Sequence, residues 1–152
     1  MTKADIVEGV YARLGSYSLR EAAAIRQHTY WTFSVLDTIG GLNQVAEWAA
    51  FHHERLDGAG YPFHLRGDRL NSGARIMAVA DIFTAIIEDR PYRAGMSKEQ
   101  AVQVMAQQAD RKLLDPNVIQ LLLDSFDEVA SRVRDKQAVS RAFYEQQFMQ
   151  AA

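Results

Sequence analysis

Apolar positions along this chain recur at helical spacing, and stretches that alternate strictly between apolar and polar residues are hard to find. The pattern predicts an all-α protein. Within residues 3 to 14, Ile6, Val7, Val10 and Leu14 share one face of a short helix. Ser18, with Glu21 three places on, reads as a helix start, and Leu19, Ala22, Ala23, Ile25, Tyr30, Phe33 and Leu36 carry one helix from there to Gly40-Gly41. A second helix takes Leu42, Val45, Ala46, Trp48, Ala49 and Phe51. Glycines 58, 60 and 67 with Pro62 make Asp57 to Asn71 a loop. Residues 72 to 89 are the most apolar helix and should be central, ending before Pro91 because a residue that precedes proline is pushed out of the helical region. Ser97 with Gln100 opens a helix to about 109, and Asp115-Pro116 caps one to about 130. The tail from 131 to 149 is helical by composition and weakly amphipathic.

Composition changes that picture little. With 152 residues, 48% apolar and 24% charged, the chain fits one soluble domain with a real core. A net charge of −2 offers no general attraction to nucleic acid or to an anionic membrane, so an anionic ligand must be captured locally. Neither a run of about 18 apolar residues nor a secretory leader pattern is present, and a cytoplasmic protein is expected.

Cysteine is absent, which leaves four histidines and the acids as ligands for a transition metal. If Gly40-Gly41 turns a helical hairpin, His28 lies twelve residues before it and His52 eleven to twelve after it. Both then stand about 18 Å from the turn at 1.5 Å per residue, side by side. His53 can join them where the second helix ends. Asp81, amid AVADIFTAII, is expected to be buried and so to need a neutralising partner. A cation shared with His28, His52 and His53 would serve; imidazole with carboxylate suits iron, manganese, zinc or nickel. Glu54 and Asp57 are candidates for outer acceptors that orient the rings. The alternatives are a hydrogen-bonded or surface His28, a structural pairing of Asp81 with Arg75, Arg90 or Arg93, and a merely polar helix end at 54 to 57. His64, in the glycine loop, is expected to face solvent.

HHERLDGAGYP (52 to 62), followed by ARIMAVADIFTAIIEDRPYR, resembles the HD-GYP family of bacterial metal-dependent phosphodiesterases. HHE, DGxGYP, an apolar helix with an Ala-Asp pair, and RPYR all occur in order, over about forty residues, and the likeness extends more loosely from about 14 to 125. The resemblance implies an all-helical HD-superfamily bundle with a centre of two or three metals that opens cyclic di-GMP. It implies His28, His52, His53 and Asp81 as metal ligands, and Tyr61, Arg90 and Arg93 as contacts to the dinucleotide, where arginine can bind phosphate oxygens bidentately.

The family's His-Asp dyad, its associated lysine and an earlier histidine are missing: no His-Asp dipeptide occurs in the chain. The expectation is therefore a single partial domain over 1–152, its core at about 14–130 with a helical tail at 131–150, truncated on its N-terminal side. Activity is expected to be incomplete or impaired, with one metal site possible in place of two or three, and no catalytic residue can be assigned. A non-catalytic nucleotide-binding or protein-interaction module is the alternative. Apolar surface on residues 72 to 87 would be left for a second copy or a partner protein to cover.

Overall fold

The structure, a computed structural model, describes residues 19–90, 93–144 and 146. The helix expected over 3 to 14 and the cap expected at Ser18 lie outside the described residues. Among the described residues seven α-helices follow one another: α1 (Leu19–Arg26), α2 (His28–Asp37), α3 (Asn43–Phe51), α4 (Ser72–Ile87), α5 (Lys98–Asp110), α6 (Pro116–Asp124) and α7 (Phe126–Tyr144). Among the described residues, extended pairing is confined to two isolated bridges, Asp57 with Arg66 and Arg90 with Arg93. The fold is all-α.

Two boundaries differ from those the pattern predicts. The helix expected from Ser18 to Gly40 is broken at Gln27, where the last carbonyls of α1 turn to side chains: the Thr29 hydroxyl donates to the Arg26 carbonyl at 3.1 Å and His28 Nδ1 to that of Ile25 at 2.5 Å. The helix expected from 116 to 130 stops at Asp124, and α7 begins at Phe126, continuous with the tail. That break lets Phe126 turn inward to meet Phe83 edge-on, their ring centroids 5.4 Å apart. Apolar periodicity is blind to both breaks because neither interrupts the apolar face.

The core is built around α4. Val79, Ile82, Phe83 and Ile86 are buried against Ala101, Val104 and Met105 of α5, Ile119 of α6, and Phe126 and Ala130 of α7. Each large side chain removed from water in this way contributes about 1.5–3 kcal/mol. The α2–α3 hairpin turns through Gly41, whose φ of +85° is costly for any residue with a Cβ. It lies against the first turn of α4, where Gly73 meets the Trp48 ring so closely that a Cβ would overlap it.

Asp115 ties these parts together. Its carboxylate caps α6 through the amides of Asn117 and Val118 and receives Arg75 Nη1 at 2.9 Å; Arg75 also binds the carbonyls of Leu70 and Gly67. Burial alone would raise the Asp115 pKa, but Arg75 and the two amides outweigh it and hold the carboxyl below its ordinary value. A carboxyl depressed in this way adds stability that is present above its unfolded pKa and lost as pH falls through the folded one. Asp115→Asn should therefore cost about 1–3 kcal/mol at neutral pH in urea denaturation, with the gap to wild type closing below about pH 4.

Candidate metal centre

The hairpin brings His28 and His52 face to face. Their Nε2 atoms are 3.4 Å apart, and the rings of His28, His52 and His53 form one cluster, with centroids 3.9 to 5.4 Å from one another. Each of the three offers a ligand atom within 4.8 Å of the other two.

Helix ends fix the tautomers. The last carbonyls of a helix have no partner within it. His52 Nδ1 takes the Ala49 carbonyl at 2.6 Å, as His28 Nδ1 takes that of Ile25. A carbonyl cannot donate, so each Nδ1 carries the hydrogen and each Nε2 presents its lone pair. Two nitrogens that each present a lone pair 3.4 Å apart repel unless a cation or a proton lies between them. Two nitrogens at about 2.0–2.1 Å from one tetrahedral metal ion would stand about 3.3–3.4 Å apart, so the pair fits one ion as it is. Sequence reasoning missed these two carbonyls; the signal was there, since each histidine follows by three residues a position in the last turn of a helix.

Asp81 reaches this group through His53, with its Oδ2 3.4 Å from His53 Nδ1. Its side chain keeps 32% exposure, so the burial expected from its apolar neighbours is not found; the residue faces the edge of the centre and not the core. Of the structural partners considered for it, Arg75 is engaged with Asp115.

Glu54 and Asp57, the candidates for outer acceptors, are both engaged by the loop. Glu54 is 1% exposed and accepts the amides of Phe63 (2.6 Å) and Leu65 (3.1 Å), so both oxygens hold the loop. Asp57 accepts the Ala59 amide and pairs with Arg55 at 2.6 Å. Gly60 packs so tightly under this clamp that a Cβ would come within 2.4 Å of the Glu54 Cα and the Arg55 nitrogen. The glycine loop is thus folded back on the end of α3, and it delivers Tyr61 to the centre, its ring 4.8 Å from that of His53.

A cavity of about 290 Å³ opens beside the cluster. All four histidines of the chain line it, with exposed His64 at its mouth. So do Tyr61, Arg26, Arg55 and the buried Gln108, the last three of which sequence reasoning passed over. The Arg26 guanidinium sits over the Tyr61 ring, 5.5 Å from its centroid. Arg90 and Arg93 stand elsewhere, past the end of α4. Their backbones pair with each other, Arg90 lies 3.5 Å from Glu88, and Arg93 Nη2 donates to the Ala85 carbonyl, one turn beyond Asp81.

The pattern of the family described as HD domain matches residues 8–118. The chain belongs to the HD domain family. The domain is 34% identical over 116 residues to 3'3'-cGAMP-specific phosphodiesterase 1 of Vibrio cholerae, a match covering 76% of this chain and 27% of that protein. It is 33% identical over 127 residues to the cyclic di-GMP phosphodiesterase response regulator RpfG of Xanthomonas campestris, covering 81% and 33%, and 31% identical over 134 residues to a cyclic di-GMP phosphodiesterase of Thermotoga maritima, covering 87% and 36%. With these relatives, the ordered HHE, DGxGYP and RPYR segments make it an HD domain of the HD-GYP type. The domain spans between a quarter and about a third of the length of these relatives. HD domains are metal-dependent, and the three histidines can hold a metal ion. Among the described residues, no helix is long and apolar enough to cross a membrane.

Proposed function

We propose that the domain is a metal-dependent phosphodiesterase of the HD-GYP type acting on cyclic di-GMP, in an incomplete or impaired form. The observation that carries this reading is the opposed Nε2 pair of His28 and His52, each locked by a backbone carbonyl, with His53 and Asp81 alongside. These four residues would hold a divalent ion (iron, manganese, zinc or nickel), with one site and not the two or three of the family. Such an ion supplies positive charge to phosphate oxygens and makes a bound water more acidic. Tyr61 lies against the centre, where its ring can pack on a base, while Arg90 and Arg93, tied together at the end of α4, receive the outer part of the ligand. The relatives named as phosphodiesterases of cyclic dinucleotides support this substrate class.

The His-Asp dyad of the family does not occur in these 152 residues, and the reading of low activity rests on that. The same absence favours a second reading, a regulatory module that binds a nucleotide or a protein without turning it over. Exposed Ile76 and Met77 on α4 (52% and 42%) are consistent with a second copy or a partner protein covering that helix. We expect slow opening of cyclic di-GMP by the manganese-loaded protein, abolished in His53→Ala. Turnover no higher than in that variant rejects the enzymatic reading; dinucleotide binding without turnover, weakened in Arg90→Ala, supports the second.

A further inference from the structure

We infer that Arg26 and Arg55 form a phosphate-binding wall of the histidine-lined cavity, an inference that rests on the proposed metal centre and its cyclic dinucleotide ligand. The charge of the cavity argues for it. The protein as a whole is net negative, at −2, yet Arg26 and Arg55 both line one space of about 290 Å³. Glu54 is the one acid among the described lining residues, and each of its oxygens accepts a loop amide, from Phe63 and Leu65. Guanidinium donors on a concave surface can bind phosphate oxygens bidentately.

The geometry of the two guanidinium groups adds to this. Arg26 ends α1, two residues before His28, and its guanidinium is held over the face of Tyr61, a ring that also lies 4.8 Å from that of His53. A planar cation placed there can bind a phosphate oxygen next to the metal ligands while the tyrosine ring holds it in position. Arg55 follows His53 by two residues and is anchored by Asp57 through Nη2, but its buried Nε has no hydrogen-bond partner. A buried guanidinium donor left unmatched costs free energy that a small shift toward an anionic oxygen would recover. Arg90 and Arg93 do not line this cavity, so the two pairs would grip different parts of one ligand: Arg26 and Arg55 the phosphate at the metal, Arg90 and Arg93 the remainder.

The test is calorimetry on the whole chain, first with Mn²⁺ alone and then with cyclic di-GMP added to the manganese-loaded protein, for wild type, Arg26→Ala, Arg26→Lys and Arg55→Lys, with thermal melting of each as a control on folding. Expected is a Kd for the dinucleotide raised at least about tenfold in Arg26→Ala and in Arg55→Lys, partly restored in Arg26→Lys, with manganese affinity within about twofold of wild type throughout. Dinucleotide binding within twofold of wild type in both Arg26→Ala and Arg55→Lys overturns the inference and leaves the proposed function standing. A parallel loss of manganese affinity overturns it too, since the arginines would then act through the histidines. Wild type that binds manganese but no dinucleotide, or neither, brings down the proposed function and this inference with it.

Discussion

Replacing His52 by alanine is expected to weaken Mn²⁺ or Zn²⁺ binding by more than about a hundredfold and to remove the rise in melting temperature that the ion produces in wild type. Loss of an outer partner to a metal ligand typically costs 10–100-fold, and His52 is placed to be a ligand itself. The direction follows from geometry. His28 and His52 bring their Nε2 atoms within 3.4 Å of each other, and either one alone offers a single neutral nitrogen. Without metal, the same variant should be as stable as wild type or slightly more so, because it relieves the opposition of two lone pairs. Asp81→Asn, at the edge of the group, should fall in the 10–100-fold range. Metal content by elemental analysis after dialysis, together with melting curves at several metal concentrations, reads both effects. Unchanged metal affinity in His52→Ala removes the centre from this protein.

The second large effect belongs to Glu54. Glu54→Ala should cost about 3–5 kcal/mol in urea denaturation, because it leaves the Phe63 and Leu65 amides buried in whole or part with no acceptor, at about 1–3 kcal/mol each, and opens a cavity as well. Glu54→Gln keeps one acceptor oxygen and should recover about half of that. Because the loop carries Tyr61 and His64, the alanine variant should also lower dinucleotide affinity more than the glutamine variant does. A loss below about 1 kcal/mol would mean that the loop is held by something other than this carboxylate. The aromatic cluster of Phe33, Phe51 and Phe63, with centroids 5.6 to 6.5 Å apart, is a further anchor of the loop.

Much of the helical plan was legible before any coordinates. The caps at Ser97 and Asp115 are local chemistry: a side-chain oxygen reaches an amide two or three residues on, so four residues suffice to show them. The hairpin at Gly40-Gly41 and the central place of α4 follow from a glycine pair and from the density of apolar residues. The breaks at Gln27 and Ser125 were not legible, because neither interrupts the apolar face that periodicity reads. One frees carbonyls that the centre uses, and the other turns Phe126 toward Phe83.

The same division runs through the candidate site. Equal spacing from a turn singled out His28 and His52, since helical rise is constant and a hairpin converts sequence distance into height. The partners of Glu54 and Asp57 were not legible, because α3 ends there and the chain reverses, so that both carboxylates meet loop amides and Asp57 meets Arg55. Asp81 was expected in the core, but a helix of mostly apolar residues still has one side facing out, and only packing decides which.

What the sequence by itself determined is the set of chemical groups and their order: no thiols, four histidines, an HD-GYP-type run of motifs without the His-Asp dyad, and helices whose caps and turns are written locally. What only the tertiary structure decided is where those groups point and what else meets them. His28 and His52 meet Nε2 to Nε2 across the hairpin, Glu54 is committed to the loop, and Arg26 and Arg55 are brought to the cavity from separate elements. The physical reason is range. Capping and periodicity act over a few residues, whereas side-chain direction at a site is set by contacts between segments that the chain brings together only on folding.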